Sequence, residues 1–378
     1  MNLQSNDALV DGIRGWVEIE SQTEDVDGVN RMMDDVSAKF AALDCDIARK
    51  PTRDGVGDLV SVTTPSDADG GASQSNTGIL VLSHLDTVHR RGVIDINPWR
   101  IDGDRAYGPG TLDMKGGAYL GYAAYAGMVA DGVQPKLPIR FMYVPDEEMG
   151  SRASRAMIEA AADQAKYVLV TEPGRDGGKA ITGRKGTARY QLHAHGRPAH
   201  SGAKHAEGRS AIKEIARHVL EIESWTDYDR DLTLNVGQIV GGSTDNTIPE
   251  FATARIDVRS TSQEHFDEIE RKLNALTPHD HDVSLRLEGQ VNRPPYTKTP
   301  AIQALLERAQ GLARDIGFEL GDTVTGGGSD GSFRAMSVPT LDGLGVLGEG
   351  AHTLEEYLLI SSLQPRLALM RRLLETLD

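Results

Sequence analysis

The sequence predicts an α/β protein with a mostly parallel sheet, helices on both faces of that sheet, and an inserted α+β domain. Three continuous apolar segments, GILVLS, PIRFMYV and YVLVT, begin at residues 78, 138 and 167. Helical stretches at residues 116–130 and 151–166 separate them. Continuous apolar strands that alternate with helices are typical of parallel sheets buried on both faces.

Two amphipathic helices precede the first of these strands. The first helix carries its apolar face on Leu9, Ile13, Trp16 and Val17, and the second carries its own on Val29, Met32, Met33, Val36, Phe40 and Leu43. Residues 68–77 are polar and glycine-rich, which predicts a turn. Residues 1–185 are therefore expected to be the first part of the large domain.

The pattern changes near residue 186, and a small α+β domain is expected over residues 186–292. Its predicted elements are a strand at 187–196, a helix at 209–225, an alternating strand at 251–259, a helix at 264–276 and a strand at 283–288. Residues 293–378 return to the α/β pattern. Their predicted elements are a helix at 300–316, a glycine-rich loop, a strand near 338–342 and a final helix.

Charge and cysteine usage exclude several classes of function. The 378 residues include 56 acidic and 40 basic side chains, which gives a formal net charge of −16. This charge argues against nucleic acid and anionic membranes as partners. Cys45 is the single cysteine, so an intrachain disulfide and a thiolate metal cluster are excluded. Since the sequence shows no secretion signal and no long apolar run, we expect a cytoplasmic location.

Polar clusters follow all three apolar strands, at the sheet edge where ligands bind in such folds. His84 and Asp86 follow the first strand and, two residues apart in an extended segment, point the same way. A carboxylate in this position can hold the second N–H of a metal-bound imidazole. Taken alone, such a pair is more typical of a surface turn.

The other candidate ligands also have simpler structural interpretations. Glu147 and Glu148 follow the second strand, where acidic residues are favoured by a helix dipole, and Glu172 follows the third. Since adjacent side chains diverge, one glutamate can bind metal while the other contacts the attacking water. Asp113 lies just before a helix. It could be the N-cap of that helix, or its carboxylate could bridge two cations. His352 follows a glycine turn, where a histidine is usually a surface or capping residue.

Together, five potential nitrogen and oxygen ligands fall at strand ends on one edge of the predicted sheet. An imidazole and carboxylate donor set without thiolate favours zinc, with manganese or cobalt as alternatives.

The motifs SHLDTV, GPGTLDMKGG, PDEE, TEP and GEGAH occur in the order in which M20 metallopeptidases carry them. This family includes glutamate carboxypeptidases, succinyl-diaminopimelate desuccinylases, acetylornithine deacetylases and aminoacylases. The resemblance covers nearly the whole chain and is greatest to the glutamate carboxypeptidase branch. It implies a zinc exopeptidase-like fold in which the inserted domain is a lid that mediates homodimer formation.

The resemblance also implies roles for individual residues in the large domain. Asp86 is expected to orient His84, and Glu147 is expected to act as general base and proton shuttle. Two metal ions are implied, with these ligands: Asp113 as the shared bridge, His84 and Glu172 at one site, and Glu148 and His352 at the other.

Four residues of the lid and its rim resemble substrate contacts of the family. His200, in GRPAHSG, resembles a histidine that reaches across the dimer to stabilise the oxyanion, and Asn246 resembles a residue that points into the partner site. Arg293, in NRPPY, resembles the arginine that holds the substrate carboxylate, and Gly328 ends a glycine loop beside the substrate. The simpler alternatives are an ordinary loop histidine at 200 and a surface ion pair at 293.

These expectations predict a two-metal hydrolase that cleaves an amide bond next to a free carboxylate. Its substrate would be a peptide or N-acyl conjugate that releases a C-terminal, glutamate-like amino acid. One alternative is an N-acyl-amino-acid deacylase of the acetylornithine deacetylase or desuccinylase type. Another is a non-catalytic scaffold that binds carboxylates.

Overall fold

The computed structural model describes residues 4–53, 55–65 and 78–378. The turn predicted at residues 68–77 lies outside the described residues. Within them, no helix has both the length and the apolar character needed to cross a bilayer.

The chain divides into two compact units, which we call the large unit and the small unit. The large unit comprises Met1–Gly183, Thr297–Val324 and Ser329–Asp378, and the small unit comprises Arg184–Tyr296 and Thr325–Gly328. Among the described residues, the helices are α1 (Asn6–Val17), α2 (Val26–Ala41), α3 (Val93–Ile96), α4 (Gly116–Ala130), α5 (Arg155–Ala162), α6 (Ala211–Glu223), α7 (Gln263–Asn274), α8 (Pro300–Ile316) and α9 (Leu363–Thr376). The strands are β1 (Asp46–Lys50), β2 (Leu59–Thr63), β3 (Gly78–His84), β4 (Arg100–Asp102), β5 (Arg105–Tyr107), β6 (Ile139–Val144), β7 (Ala165–Val170), β8 (Ala180–Arg184), β9 (Gly186–His195), β10 (Leu232–Gly241), β11 (Phe251–Ser260), β12 (Ser284–Arg293), β13 (Asp322–Thr325), β14 (Thr340–Leu341), β15 (Gly348–Glu349) and β16 (Tyr357–Leu359).

The central sheet of the large unit has the strand order β1-β2-β6-β3-β7-β14. β3 is parallel to both β6 and β7, and β14 is parallel to β7, whereas β1 and β2 are antiparallel additions at one edge. The predicted mostly parallel sheet is therefore confirmed. β1 escaped prediction because its five residues are largely exposed and carry no apolar pattern.

Helices cover both faces of this sheet, as predicted. Ile79 and Val81 of β3 belong to a core that also contains the buried faces of α1, α2, α4, α8 and α9. Leu80 and Leu82 point to the opposite face and pack in a second core with Ile158 of α5. Alternate residues of one continuous apolar strand thus serve two cores, which is why the strand lacks a polar side.

The structure corrects the predicted helix at 151–166. α5 is much shorter because the preceding residues form a turn around Asp146, whose carboxylate accepts hydrogen bonds from Ala153 N at 2.8 Å and Ser154 Oγ at 2.5 Å. The main-chain carbonyl of Asp146 also accepts a bond from Ser151 N. Asp146 therefore holds the chain in a turn directly after the two candidate glutamates.

The small unit has one antiparallel sheet with the strand order β10-β11-β9-β12. α6 and α7 pack against it through an apolar core that includes Ile215, Ile222, Phe266 and Ile269. The prediction missed β10, because most of this outer strand is exposed and lacks a regular apolar alternation. It also ended β12 too early, since this strand continues to Arg293.

Candidate metal centre

Three neighbouring parallel strands end at the candidate centre. His84 is the last residue of β3, and it lies in register with Val144, the last residue of β6. Glu147 and Glu148 follow β6 in a short 3₁₀ turn, and Glu172 comes two residues after β7 ends. Since parallel strands end at the same edge, the fold delivers these side chains to one place.

Asp113 contacts two histidines with different oxygen atoms. Its Oδ1 lies 3.1 Å from Nε2 of His84, and its Oδ2 lies 3.3 Å from Nε2 of His352. The alternative role as a helix N-cap does not hold, because α4 begins at Gly116 and no side chain caps it. The Asp113 carboxylate therefore faces two imidazoles instead of a helix terminus.

Two further carboxylates complete the cluster. Oε1 of Glu172 lies 3.7 Å from Nε2 of His84, and Oε2 of Glu148 lies 3.2 Å from Nε2 of His352. The side chains form two groups of three, in each of which the possible ligand atoms lie within 4.8 Å of one another. Asp113 belongs to both groups.

The spacing of the donor atoms, from 3.1 to 3.7 Å, is compatible with divalent cations held between them. Nitrogen and oxygen atoms that bind one zinc ion each lie about 2.0–2.2 Å from it, which places neighbouring donors of a tetrahedral site about 3.3–3.6 Å apart. In addition, Oε1 of Glu148 is buried and has no hydrogen-bond partner among the described residues. A buried carboxylate oxygen without a partner is costly, and a cation would satisfy it.

Mutual contacts shift the pKa values of the cluster. Burial opposes the charged forms, yet the hydrogen bonds from His352 and His84 hold the pKa of Asp113 well below its usual range. Hydrogen bonds to Asp113 and Glu148 raise the pKa of His352 to about 10. Burial raises the pKa of Glu148, and the nearby Asp113 carboxylate contributes. Positive charge on the imidazoles thus offsets the carboxylates, and bound cations could take over this role.

Asp86 supports both His84 and the glutamate turn. Nδ1 of His84 lies 3.0 Å from the main-chain oxygen of Asp86 and 3.5 Å from its carboxylate, so the main-chain oxygen is the closer acceptor. The carboxylate itself accepts hydrogen bonds from the main-chain N–H groups of Glu147 and Glu148, both at 3.1 Å. Thr23 Oγ1 donates a further bond at 2.7 Å.

The predicted substrate contacts belong to the small unit. His200 and Asn246 lie on adjoining segments, joined by a hydrogen bond from Ser201 N to the Asn246 main-chain oxygen. Arg293 is 3% exposed, so it is not a surface residue. It packs against Gly328, where an added Cβ would lie 2.9 Å from Arg293 Cγ.

Comparison with known proteins agrees with this geometry. The sequence profile of peptidase family M20/M25/M40 matches residues 80–376. The chain belongs to this family. It is 30% identical to carboxypeptidase G2 of Pseudomonas sp. (strain RS-16) over 97% of this chain and 88% of that protein. It is also 26% identical to a succinyl-diaminopimelate desuccinylase of Verminephrobacter eiseniae, over 74% of this chain and 72% of that protein.

A solved structure supports the fold. The aminopeptidase PepT of Bacillus cereus superposes with a TM-score of 0.77 over 98% of each chain, at 22% sequence identity. The protein is therefore an M20 metallopeptidase, a hydrolase of a metal-dependent family that acts on peptides or small molecules.

Glu356 is a supporting residue of this M20 centre that the sequence did not reveal. Its buried carboxylate accepts hydrogen bonds from the main-chain N–H groups of Gly110, Leu112 and Asp113, all at 2.9 Å. It also lies 2.7 Å from Nε2 of His89. Glu356 thus fixes the turn that carries Asp113. In the sequence it is one of two adjacent glutamates, with nothing to distinguish them.

We expect Glu356→Gln to weaken metal binding about 10- to 100-fold, as is typical when a partner behind a metal ligand is lost. The glutamine amide would place N–H groups against main-chain donors and loosen the Asp113 turn. Glu355→Gln is the matched control, because the neighbouring Glu355 side chain is 82% exposed. Calorimetric titration of metal-stripped protein with zinc measures the effect. Equal affinities in the two variants would show that Glu356 does not support the centre.

Proposed function

We propose that this M20 enzyme is a two-metal hydrolase that cleaves an amide bond next to a free carboxylate and releases a glutamate-like C-terminal amino acid. The observation that carries the two-metal proposal is the contact of Asp113 with His84 through one oxygen and with His352 through the other. A carboxylate bound in this way can bridge two cations. Glu172 and Glu148 provide one further ligand on each side.

Zinc is the proposed metal at both positions. Each group combines one imidazole with two carboxylates, a donor set that suits zinc, with manganese or cobalt as alternatives. Calcium and magnesium are less suitable because they prefer ligand sets made of oxygen.

Glu147 is the proposed general base. Cations held by Asp113, His84, Glu172, Glu148 and His352 would acidify the attacking water and polarise the scissile carbonyl. Glu147 accepts the proton of that water and returns it to the leaving nitrogen, so that the amine departs uncharged. Its main chain is held by Asp86 beside Glu148, and its side chain is half-buried at the same turn. The adjacent glutamates thus divide into a base and a ligand.

His200 is the proposed hydrogen-bond donor to the oxyanion. Its Nδ1 accepts hydrogen bonds from the main-chain N–H groups of Gly202 and Ala203, both at 3.1 Å. A neutral imidazole whose Nδ1 is an acceptor carries its proton on Nε2. His200 can therefore donate from Nε2 to a developing negative charge. Asn246, on the adjoining segment, is a proposed second substrate contact.

Arg293 is the proposed ligand of the substrate carboxylate. A guanidinium can bind a carboxylate with two parallel hydrogen bonds, which favours substrates with a terminal acid. Arg184, which donates to the main-chain oxygens of Gly327 and Gly328, supports a local positive charge against the net charge of −16. Arg259 donates to the main-chain oxygen of Gly326, but its charge is paired with that of Asp257. The glycine loop is thus lined by arginines.

A homodimer formed through the small unit is also proposed. β10 is an outer strand of its sheet, with exposed Ile239 and Val240, and the neighbouring β11 begins at exposed Phe251. An exposed apolar outer strand is well suited to pairing with a second copy. The cytoplasmic location expected from the sequence stays a prediction.

A second candidate function is deacylation of an N-acyl amino acid. The similarity to a desuccinylase favours it, and the same centre would hydrolyse either amide. A panel of acyl-glutamates, peptides ending in glutamate, acetylornithine and succinyl-diaminopimelate separates the candidates by kcat/KM. The proposal expects the highest value for a glutamate conjugate. No turnover of any substrate by the zinc-loaded protein would favour the non-catalytic scaffold.

We expect Glu147→Gln to lower kcat by about 10²- to 10⁴-fold, the usual contribution of a general base. Its metal content should stay at the wild-type value, because Glu147 is not a proposed ligand. Glu148→Gln is the contrasting variant, and it should lose metal together with activity. Steady-state kinetics and metal analysis on the same preparations measure both effects. Near-normal turnover by the Glu147→Gln variant would eliminate the proposed base.

Two glycine variants test the role of Arg293. Gly328→Ala would press a methyl group on Arg293 Cγ, at 2.9 Å, whereas Gly326→Ala meets no atom within 4 Å. We therefore expect Gly328→Ala to raise KM about tenfold or more for a substrate with a free carboxylate, since small displacements of binding groups are costly. Gly326→Ala should leave KM unchanged. The control substrate has its free carboxylate converted to an amide. If Gly328→Ala raised KM equally for this control, Arg293 would not be the carboxylate ligand.

A further inference from the structure

α6 carries two ionisable side chains on its buried face. Glu214 and His218 are one helical turn apart and are only 2% and 1% exposed, on the same face as Ile215 and Ile222. Nε2 of His218 lies 3.1 Å from Oε1 of Glu214. Charged and polar groups on an apolar face are costly unless they are paired, so these two residues need an explanation.

A second histidine approaches this pair from another element. His279 lies in the loop after α7, and its ring centroid is 4.8 Å from that of His218. Its main-chain N–H donates to Oε1 of Glu214 at 2.6 Å, which fixes the loop against α6. Glu214, His218 and His279 each offer one possible ligand atom, and the three atoms lie within 4.8 Å of one another.

The hydrogen-bond network of His218 is incomplete. Its Nδ1 is buried and has no hydrogen-bond partner among the described residues. The carboxylate of Glu221, one turn further along α6, lies 3.5 Å from this nitrogen. When a histidine binds metal through one ring nitrogen, the other nitrogen usually faces a carboxylate in this way. His218 therefore has a possible ligand atom on one side and a supporting carboxylate on the other.

We propose that Glu214, His218 and His279 form a zinc-class metal site within the small unit, distinct from the M20 centre. Two imidazoles and one carboxylate suit zinc and similar transition-metal ions better than calcium or magnesium. Because His279 is exposed, a fourth position is open to water. The bound ion would join α6 to the loop after α7 and stabilise the small unit.

The alternative is a hydrogen-bonded polar pair that needs no cation. In that case the exposed imidazole of His279 would contribute little, and its removal would change neither metal content nor stability. The metal site, in contrast, makes His279 a ligand. Substitution of His279 therefore separates the two explanations. Because this side chain is exposed, we expect the variant to fold.

The test compares full-length wild type with His279→Ala and with a control, His281→Ala. His281 lies two residues further along the same loop, and its side chain is 92% exposed. Each metal-stripped protein is equilibrated with a graded series of buffered zinc concentrations up to micromolar, and bound zinc is counted by mass spectrometry at each. Wild type and His281→Ala should each hold one zinc more per chain than His279→Ala. In calorimetric titrations, His279→Ala should weaken this one site at least about tenfold.

Thermal unfolding provides a second readout. Zinc should raise the Tm of the wild type and of His281→Ala more than that of His279→Ala, because one bound ion is lost only in the last variant. Equal zinc counts in all three proteins would overturn the proposal, as would a difference that appears only at millimolar zinc, which would indicate an adventitious ion only. A failure of the M20 centre to bind metal would leave the difference between the two variants intact, so the two proposals fail separately.

Discussion

The contacts of the Asp113 carboxylate determine how the candidate metal centre of the large unit is arranged. One buried side chain faces an imidazole with each of its oxygens, and two further carboxylates approach the same imidazoles. Such a cluster is unfavourable without positive charge, because burial and mutual repulsion both oppose the charged carboxylates. The two proposed cations would supply that charge. The family to which the chain belongs is metal-dependent, which agrees with this balance of charge.

Strands and hydrogen-bonded turns of the surrounding fold hold this cluster in place. Three parallel strands end at one edge and deliver ligands from distant parts of the sequence. Two further carboxylates bind main chain instead of metal: Glu356 fixes the Asp113 turn, and Asp86 fixes the turn that contains Glu147 and Glu148. Hydrogen bonds therefore fix the backbone of both turns, as the proposed catalytic site requires.

The sequence predicted those parts of the structure whose signal is local. The apolar runs of β3, β6 and β7 identified the parallel sheet, and the polar residues at their ends identified three of the five candidate ligands, His84, Glu148 and Glu172. α5 was predicted too long, because the hydrogen bonds that end the turn before it come from Asp146, and their geometry is not visible in composition. β10 was missed because exposed outer strands carry little apolar pattern.

Supporting residues were harder to predict than ligands. Glu356 is adjacent to an exposed glutamate of the same type, and only tertiary contacts distinguish the two. Glu214 and His218 lie within α6. The apolar residues alone were enough to predict this helix, so the two polar residues attracted no attention. Whether a polar side chain supports a metal ligand depends on the loop that packs over it. The local sequence pattern does not reveal which loop that is.

Anomalous diffraction at the zinc absorption edge, from crystals of the zinc-loaded protein, would reveal whether Asp113 joins two metal ions. We expect two peaks about 3.5–4 Å apart, one bound to each oxygen of Asp113. One of these peaks should also lie against His84, and the other against His352. A single peak at this carboxylate, or none, would contradict the shared two-metal centre.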